Sequence, residues 1–200
     1  MDLHSRWEGA WRSVGAAPEP SLYAKLFAAY REPHRHYHTL QHLEECFVQL
    51  DLLGSLAAHP GAVEIALWFH DAIYDPRGQD NEERSARWAQ RSLAARAEQG
   101  KRVHALVMAT RHEAMPQNID EQVLVDVDLS ILGAEPARFD EYEEQVRKEY
   151  AWVPLPIYRR ERRRILAGLL ARPGLYSTPL FVERYEQQAR ANLARALARL

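Results

Sequence analysis

The spacing of apolar residues is helical along almost the whole chain, and this limits the fold more than any other feature of the sequence. Between His38 and Gly54, apolar side chains recur every three or four positions, at Leu40, Leu43, Phe47, Leu50 and Leu53. Such a period places them on one face of an α-helix, and a globular protein buries that face. The alternation of apolar and polar residues that marks a half-buried strand is not convincing anywhere in the chain. The sequence therefore predicts an all-α fold.

Similar segments follow one another, separated by short loops that contain proline or glycine. Ser21 is placed to cap a helix that begins after it, and Gly100 is placed to end the helix that begins near Asn81. Helices are predicted at about 22–29, 38–54, 63–69, 81–99, 101–112, 120–130, 135–151, 156–171 and 177–200. The β-branched run QVLVDVDLSIL (122–132) also fits a strand, so two interpretations stay open there. Since no Ser/Gly/Pro-rich linker divides the chain, we expect one domain over residues 1–200.

The composition excludes several kinds of partner. The formal net charge of the 200 residues is -2, so no positive field attracts a nucleic-acid polymer or an anionic membrane. No apolar run reaches the roughly 18 residues that a membrane span needs, and the N-terminal segment lacks the features of a signal peptide. The single cysteine, Cys46, excludes an internal disulfide and fits a reducing compartment. We therefore expect a cytoplasmic protein.

A histidine pair opens the helix predicted at 38–54. In YHTLQH, His38 and His42 are four residues apart, so on a helix both imidazoles can point at one centre, whereas His36 lies off that face. Taken alone, the pair is better explained as partly exposed polar residues on a surface turn.

Two further segments carry acidic side chains in apolar surroundings. His70 and Asp71 end the run IALWFHD, where an unpaired buried carboxylate would cost several kcal/mol. Asp126 and Asp128 interrupt VDVDLSIL, although aspartate is unfavourable inside a helix or a strand. The plainer explanations are that Asp71 is solvated beyond its helix and that one of the other two caps a helix.

Together these segments supply two imidazoles and two carboxylates, from His42, His70, Asp71 and Asp128. Such a set suits a divalent ion such as Mn, Fe, Co, Mg, Ni or Zn, and the lack of thiolates argues against a structural zinc site. A divalent ion with open coordination positions lowers the pKa of the water that it binds, and this water becomes a nucleophile near neutral pH. The sequence thus predicts a catalytic metal centre.

The order H…HD…D resembles the HD superfamily of metal-dependent phosphohydrolases, which are all-α. YHTLQH is similar to the motif of the cyclic-nucleotide phosphodiesterase branch, in which the first histidine is the general acid and the second is a metal ligand. This implies that His38 is the acid and His42 the ligand, and the Asp-Leu-Ser context of that branch favours Asp128 over Asp126. The overall layout looks more like small bacterial HD proteins, through REPHRHYH (31–38), WFHDAIYD (68–75), DNEERSA (80–86) and EQQARANL (186–193). The resemblance implies a helical bundle of the HD type with its metal-site core at about 30–132, and helices of 135–200 that pack on it.

Other residues near these motifs are candidates for supporting roles. Arg35 and Tyr37 are expected to contact a substrate phosphate, the alternative being surface residues on a turn. His112 is expected to contact substrate, or else to be a histidine stabilised by the end of its helix. Asp75 is expected to orient a ligand histidine, or to cap the loop before Pro76.

The function predicted from these residues is hydrolysis of a phosphomonoester or phosphodiester in a small phosphorylated substrate, such as a nucleotide. Asp71 would orient the attacking water and His38 would protonate the leaving oxygen. HD branches with a second metal have further histidines, which DNEERSA lacks, so we expect one metal per chain in a monomer or homodimer. The alternatives are a metal- and nucleotide-binding sensor without catalysis and a dinuclear iron oxygenase.

The arginine-rich run YRRERRR (158–164) is interpreted as a solvated helix face. The opposite face, which we expect to point at the core, is formed by Ile157, Ile165, Leu166, Leu169 and Leu170.

Overall fold

A computed structural model describes residues 2–200, and in this range it is entirely helical. The ten α-helices are α1 Leu3–Ser13, α2 Leu22–Ala29, α3 Leu40–Leu53, α4 Pro60–Phe69, α5 Asn81–Ser92, α6 Ala97–Ala109, α7 Ile119–Asp128, α8 Pro136–Glu149, α9 Leu155–Leu170 and α10 Pro179–Arg199. Two 3₁₀ segments, Ala94–Arg96 and Leu129–Gly133, complete the secondary structure, and residues 2–200 contain no strand. The predicted all-α class is confirmed.

The chain divides into two compact units. The first ends at Val127, and the second comprises Asp128–Leu200. Helix α4 is the core of the first unit, because it packs against α1, α3, α5 and α6 and nearly all of its side chains are buried. The apolar run that predicted a buried helix is therefore explained. His70 follows directly at the C-cap of this helix, so the most enclosed element of the unit ends at the histidine-aspartate pair.

Helix α1 was not predicted from the sequence. Asp2 caps it by accepting the amides of His4 and Ser5, and Trp7 and Trp11 are buried on its inner face. A Cβ at Gly61 of α4 would overlap the Ser13 hydroxyl, so this glycine lets the two helices approach closely. Trp7 and Trp11 are thus core residues, whereas Trp152 in the second unit is 50% exposed.

The break between α5 and α6 lies earlier than predicted. Helix α5 ends at Ser92 and not near Gln99, and Gly100 is inside α6 and not at a helix end. A Cβ at Gly100 would lie 3.2 Å from the carbonyl oxygen of Gln90, so the glycine permits close packing of α6 on α5. The prediction was wrong because glycine serves close approach as well as helix termination.

The ambiguous segment 122–132 is helical. Helix α7 runs through Asp128 and continues as the 3₁₀ segment Leu129–Gly133. Val123, Val125 and Val127 are all buried, which explains why a helix here is rich in β-branched residues. The strand interpretation is wrong, because burial on several sides removes the polar face by which a helix is recognised.

In the second unit, α10 packs on the 3₁₀ segment Leu129–Gly133 and on α9. The fully buried Asn192 donates to the carbonyl oxygens of Leu132 and Ala134 at 2.9 and 2.8 Å. Tyr176 donates to the carbonyl of Leu129 at 3.0 Å. The two Asn192 bonds satisfy carbonyls at the end of the 3₁₀ segment, where the intrahelical partners run out, and the Tyr176 bond ties down its first residue.

The buried stripe of α9 differs from the expected one. Tyr158, Arg162 and Leu166 face inward, whereas Ile157 and Ile165 are 45% and 43% exposed. Arg162 donates to the Tyr142 hydroxyl at 2.8 Å and pairs with the Glu143 carboxylate. The expected orientation was wrong because a guanidinium whose donors are satisfied can occupy a buried stripe. No helix within residues 2–200 combines the length and the apolar character required to cross a membrane.

Candidate metal centre

The histidine pair of YHTLQH spans the start of α3. Thr39 is the N-cap of this helix and accepts the Gln41 amide at 3.3 Å, so His38 precedes the helix and only His42 is in it. The two imidazole centroids are nevertheless 6.1 Å apart. His42 is buried, whereas His38 is half-buried. The pair therefore has one enclosed imidazole and one that solvent reaches, as a ligand and an acid would require.

His70 is held in one orientation by the end of α4. Its Nδ1 lies 2.7 Å from the Leu67 carbonyl oxygen, which can only accept a hydrogen bond, so Nδ1 carries the proton. In the neutral ring, Nε2 then presents its lone pair to the site. A backbone carbonyl thus performs the orienting function that metal-bound histidines usually require.

Three of the four predicted ligand residues come together. His42 Nε2 lies 3.1 Å from His70 Nε2, and Asp71 Oδ2 lies 3.0 Å from His70 Nε2 and 3.6 Å from His42 Nε2. Ligands on a cation at about 2.1 Å are about 3.0 Å apart when their bonds meet at a right angle, and about 3.4 Å apart in a tetrahedron. The three donor atoms therefore have the spacing of one coordination sphere, and the group can hold a metal ion.

The charge of the site also fits a cation. Burial raises the pKa of the Asp71 carboxyl, but when no cation is bound the charges that His70, His38 and His42 carry in their protonated form, and the hydrogen bond from protonated His70, outweigh burial, so this pKa lies well below its ordinary value. The carboxylate is thus ionised at neutral pH. A divalent ion would satisfy this charge and two imidazole lone pairs at once.

Asp128, the fourth predicted ligand, is the last residue of α7 and the first residue of the second unit. In the first unit, the residue before it, Val127, places its carbonyl oxygen 3.9 Å from Cys46 Sγ. Cys46 Sγ lies 3.7 Å from both ring nitrogens of His42. The neighbouring Asp126 is fully buried. The ligand role of Asp128 stays a prediction.

Arg35 has a different role from the predicted substrate contact. Its side chain is fully buried, and it donates to the carbonyl oxygens of His38, Asp71 and Ala72 at 3.1, 2.6 and 3.2 Å. Its Nε donates to Glu32 at 3.0 Å. A guanidinium has five N–H donors, and four are used inside the protein. The substrate role is wrong, since hardly any donor is left for a phosphate.

Tyr37 is also buried, which explains its proximity to the site without a substrate contact. Its ring centroid lies 4.6 Å from that of His42 and 4.9 Å from that of His38. The ring fills the space beside both imidazoles. Tyr37 therefore packs beside both imidazoles, and its predicted contact with substrate stays a prediction.

Asp75 caps a loop and does not orient a ligand histidine. It is exposed, and its carboxylate accepts the Arg77 amide at 2.9 Å. Asn81 clamps the same loop through the amide and the carbonyl of Asp75, at 3.1 and 2.9 Å. The predicted role of orienting a ligand histidine is wrong, because the chain leaves helical geometry after Asp71 and the Leu67 carbonyl already accepts the Nδ1 hydrogen of His70.

Two aromatic residues that sequence reasoning missed adjoin the site. Tyr74 stacks on His38 with ring centroids 4.1 Å apart and an interplanar angle of 26°. His34 Nε2 donates to the Tyr74 carbonyl oxygen at 2.7 Å. The only sequence signal was their position beside the motifs, in REPHRHYH and WFHDAIYD.

His112 lies beyond the end of α6, with φ of 55°, in the left-handed region that non-glycine residues rarely adopt. Its predicted contact with substrate stays a prediction. His104 Nε2 on α6 lies 3.8 Å from Glu83 Oε1 on α5, and both side chains are partly exposed. This pair occupies the neighbourhood of DNEERSA, where a second metal would need further histidines.

No protein-family model, curated protein or solved structure matches this chain. The resemblance to the HD superfamily therefore stays a prediction, supported by the motifs and by the convergence of His42, His70 and Asp71.

Proposed function

We propose that the chain is a metal-dependent phosphohydrolase of the HD type. The observation that carries the proposal is the convergence of His42 Nε2, His70 Nε2 and Asp71 Oδ2 within 3.6 Å of one another. Buried lone pairs and a carboxylate at this spacing repel one another unless a proton or a cation lies among them. A divalent cation held there would lower the pKa of water and offset the charge on a phosphoryl group.

The residues of the site divide the remaining work. His42 and His70, both buried, would hold the cation. Asp71 has two oxygens, and its side chain is 18% exposed, so one oxygen could bind the cation while the other accepts a hydrogen bond from water. The low pKa of this carboxyl keeps it in the ionised form that both tasks need.

His38 is assigned as the general acid. It is half-buried beside the buried His42, so a leaving group can reach its ring from solvent. A protonated imidazole gives its proton to the leaving oxygen as the bond to phosphorus breaks, and such acids contribute about 10²–10⁴-fold in rate. We propose a small phosphorylated substrate, such as a nucleotide or a phosphorylated metabolite.

The first prediction is that His70→Ala removes both the bound metal and the phosphatase activity. The variant loses one of three converging donors, and its metal content after dialysis should fall below a tenth of the native value, because ligand loss costs far more than the tenfold that a supporting residue contributes. Metal is measured by elemental analysis, and turnover by a screen of nucleotides and phosphometabolites with each candidate divalent ion.

His59→Ala is the matched control, since it removes a histidine from the opposite end of α4. His59 pairs with Asp120 at 2.8 Å, so the variant loses an ion pair and keeps all three donors. It should retain metal. Full metal and full activity in His70→Ala would disprove the metal centre. A native protein that binds metal and a nucleotide but leaves the nucleotide intact would favour the sensor, and two irons per chain would favour the oxygenase.

A further inference from the structure

We infer that Arg35 and Tyr74 are positioning residues that hold the His38 imidazole in place. The inference rests on the proposed function, in which His38 is the general acid. It assigns a role to two side chains at the site that neither bind the cation nor touch the substrate.

His38 needs such support because it lies outside regular structure. It precedes the N-cap of α3, in a turn where the Thr39 amide donates to the Tyr37 carbonyl at 2.7 Å. Helical hydrogen bonds therefore do not hold its backbone. A catalytic side chain must be kept within about 0.5 Å of its productive position. Other contacts must supply this precision.

Arg35 supplies the backbone part of this support. One of its terminal nitrogens donates both to the carbonyl of His38, at 3.1 Å, and to the carbonyl of Asp71, at 2.6 Å. A single rigid group thus joins the turn that carries the acid to the residue that carries the metal-binding carboxylate. The guanidinium is planar, so it fixes both carbonyls in one plane, which a lysine ammonium cannot do.

Tyr74 supplies the side-chain part. Its ring stacks on the His38 ring at 4.1 Å, and the guanidinium carbon of Arg35 lies 5.5 Å from the centre of the same tyrosine ring. His34 anchors the Tyr74 backbone through the carbonyl, at 2.7 Å. Arg35 therefore reaches His38 twice, through the carbonyl of His38 and through the ring of Tyr74.

The first test replaces the stacked ring. In Tyr74→Leu we expect unchanged metal content and a kcat about tenfold lower for alkyl phosphates, whose poor leaving groups need an acid. The kcat for p-nitrophenyl phosphate, whose leaving group needs little protonation, should change less than twofold. Tyr23→Leu is the control, because Tyr23 is also half-buried and stacked, on Phe27 at 5.7 Å. Equal losses for both substrates in Tyr74→Leu would overturn the inference.

A double variant tests whether Tyr74 acts through His38. If it does, His38→Ala/Tyr74→Leu should be no slower on alkyl phosphates than His38→Ala alone, since the second change removes support for a group already absent. Rate losses that multiply would show an independent role for Tyr74 and would contradict the inference.

Arg35 is tested with lysine, because removal of a buried guanidinium that bonds three carbonyls threatens folding. Arg35→Lys should reproduce the leaving-group dependence of Tyr74→Leu. Arg190→Lys is the control: Arg190 also bonds a glutamate and three carbonyls, those of Leu170, Arg172 and Pro173, although its side chain is 33% exposed. Similar rate changes in both lysine variants would reduce the role of Arg35 to general stability.

Proton NMR decides the positioning without any substrate. The rings of Tyr74 and Tyr37 both shift the carbon-bound ring protons of His38. The Tyr74 contribution should be lost in Tyr74→Leu and shrink in Arg35→Lys, but persist in Arg190→Lys. Unchanged His38 shifts in the first two variants would overturn the inference. The variants could show the expected changes in the His38 shifts while the native protein hydrolyses no phosphate. That result would leave the positioning role intact and refute the proposed function.

Discussion

At the scale of single residues, the second unit contains two buried tyrosines with opposite hydrogen-bonding states. The Tyr176 hydroxyl donates to the Leu129 carbonyl at 3.0 Å, whereas the Tyr158 hydroxyl is buried without a hydrogen-bond partner. A buried hydroxyl that loses its bonds to water without replacement costs about 1–3 kcal/mol. The same substitution at the two positions should therefore have opposite effects.

We predict that Tyr158→Phe raises the free energy of unfolding by about 1 kcal/mol, because it removes an unsatisfied polar atom and keeps the ring. Tyr176→Phe should lower it by about 1–2 kcal/mol, because it leaves the Leu129 carbonyl unpaired. Urea unfolding followed by circular dichroism measures both. A loss of stability in Tyr158→Phe as large as that in Tyr176→Phe would mean that the hydroxyl of Tyr158 has a partner in solution.

The same residue predicts how stability changes at alkaline pH. Burial raises the pKa of Tyr158 from 10.0 to about 12. Between these values the phenol ionises in the unfolded chain and stays neutral in the folded one, so the free energy of unfolding falls as the pH rises from 10 to 12, by at most about 3 kcal/mol. Below pH 10 this contribution is fully present. Tyr158→Phe should flatten the decline measured by urea unfolding at pH 9, 10 and 11, and an unchanged slope would contradict the assignment.

Which residue types belong near the site was readable from the sequence, but their burial was not. Arg35 and Tyr37 were predicted as substrate contacts because they flank the histidines. Both are buried in the structure. Arg35 donates to the carbonyls of Asp71 and Ala72, which lie 36 and 37 positions further along the chain. A bond between a side chain and a distant carbonyl leaves no pattern in sequence, since every residue has a carbonyl.

At the scale of helices, the spacing of apolar residues correctly predicted those helices whose buried face is purely apolar. Helix α3 lies within two residues of its predicted bounds, and its buried face contains Leu43, Phe47 and Leu50 as expected. The stripe of α9 was misplaced because a satisfied arginine, Arg162, is part of it. Apolar spacing as a criterion treats every arginine as exposed. When an arginine is buried in an ion pair, this criterion therefore assigns the wrong face of the helix to the core.

Two glycines of the second unit differ in the space around them, and alanine substitution at each should therefore change stability in opposite directions. A Cβ at Gly133 would lie 2.6 Å from Tyr185 Cβ of α10, whereas a Cβ at Gly168 in α9 would meet nothing within 4 Å. Gly133→Ala should thus lower the free energy of unfolding by about 1–3 kcal/mol through overpacking. Gly168→Ala should raise it by about 0.5–1 kcal/mol, because alanine loses less backbone entropy in a helix. Thermal and urea unfolding measure both, and equal effects would show that α10 shifts away without cost.

At the scale of the whole molecule, the sequence predicted the candidate metal centre better than its surroundings. His42 and the pair of His70 and Asp71 are separated by 27 residues or more; His42 stood out by its spacing from His38, and His70 and Asp71 stood out because they end an apolar run. Burial of a polar group demands a partner, and that demand is visible in one sequence. Tyr74 and His34 do not interrupt an apolar segment, so their supporting contacts are visible only in the folded structure.

The enclosure of α4 has a consequence for how this protein can evolve. Its apolar residues form the centre of the first unit and also carry His70, so a change there endangers folding before it can alter chemistry. The turn at 34–39 and the loop at 71–80 adjoin the same ligands and lie outside the helices. If the proposed function holds, drift toward a new substrate is expected to begin in these two connections, while the sequence of α4 stays almost fixed among descendants that keep the candidate ligands.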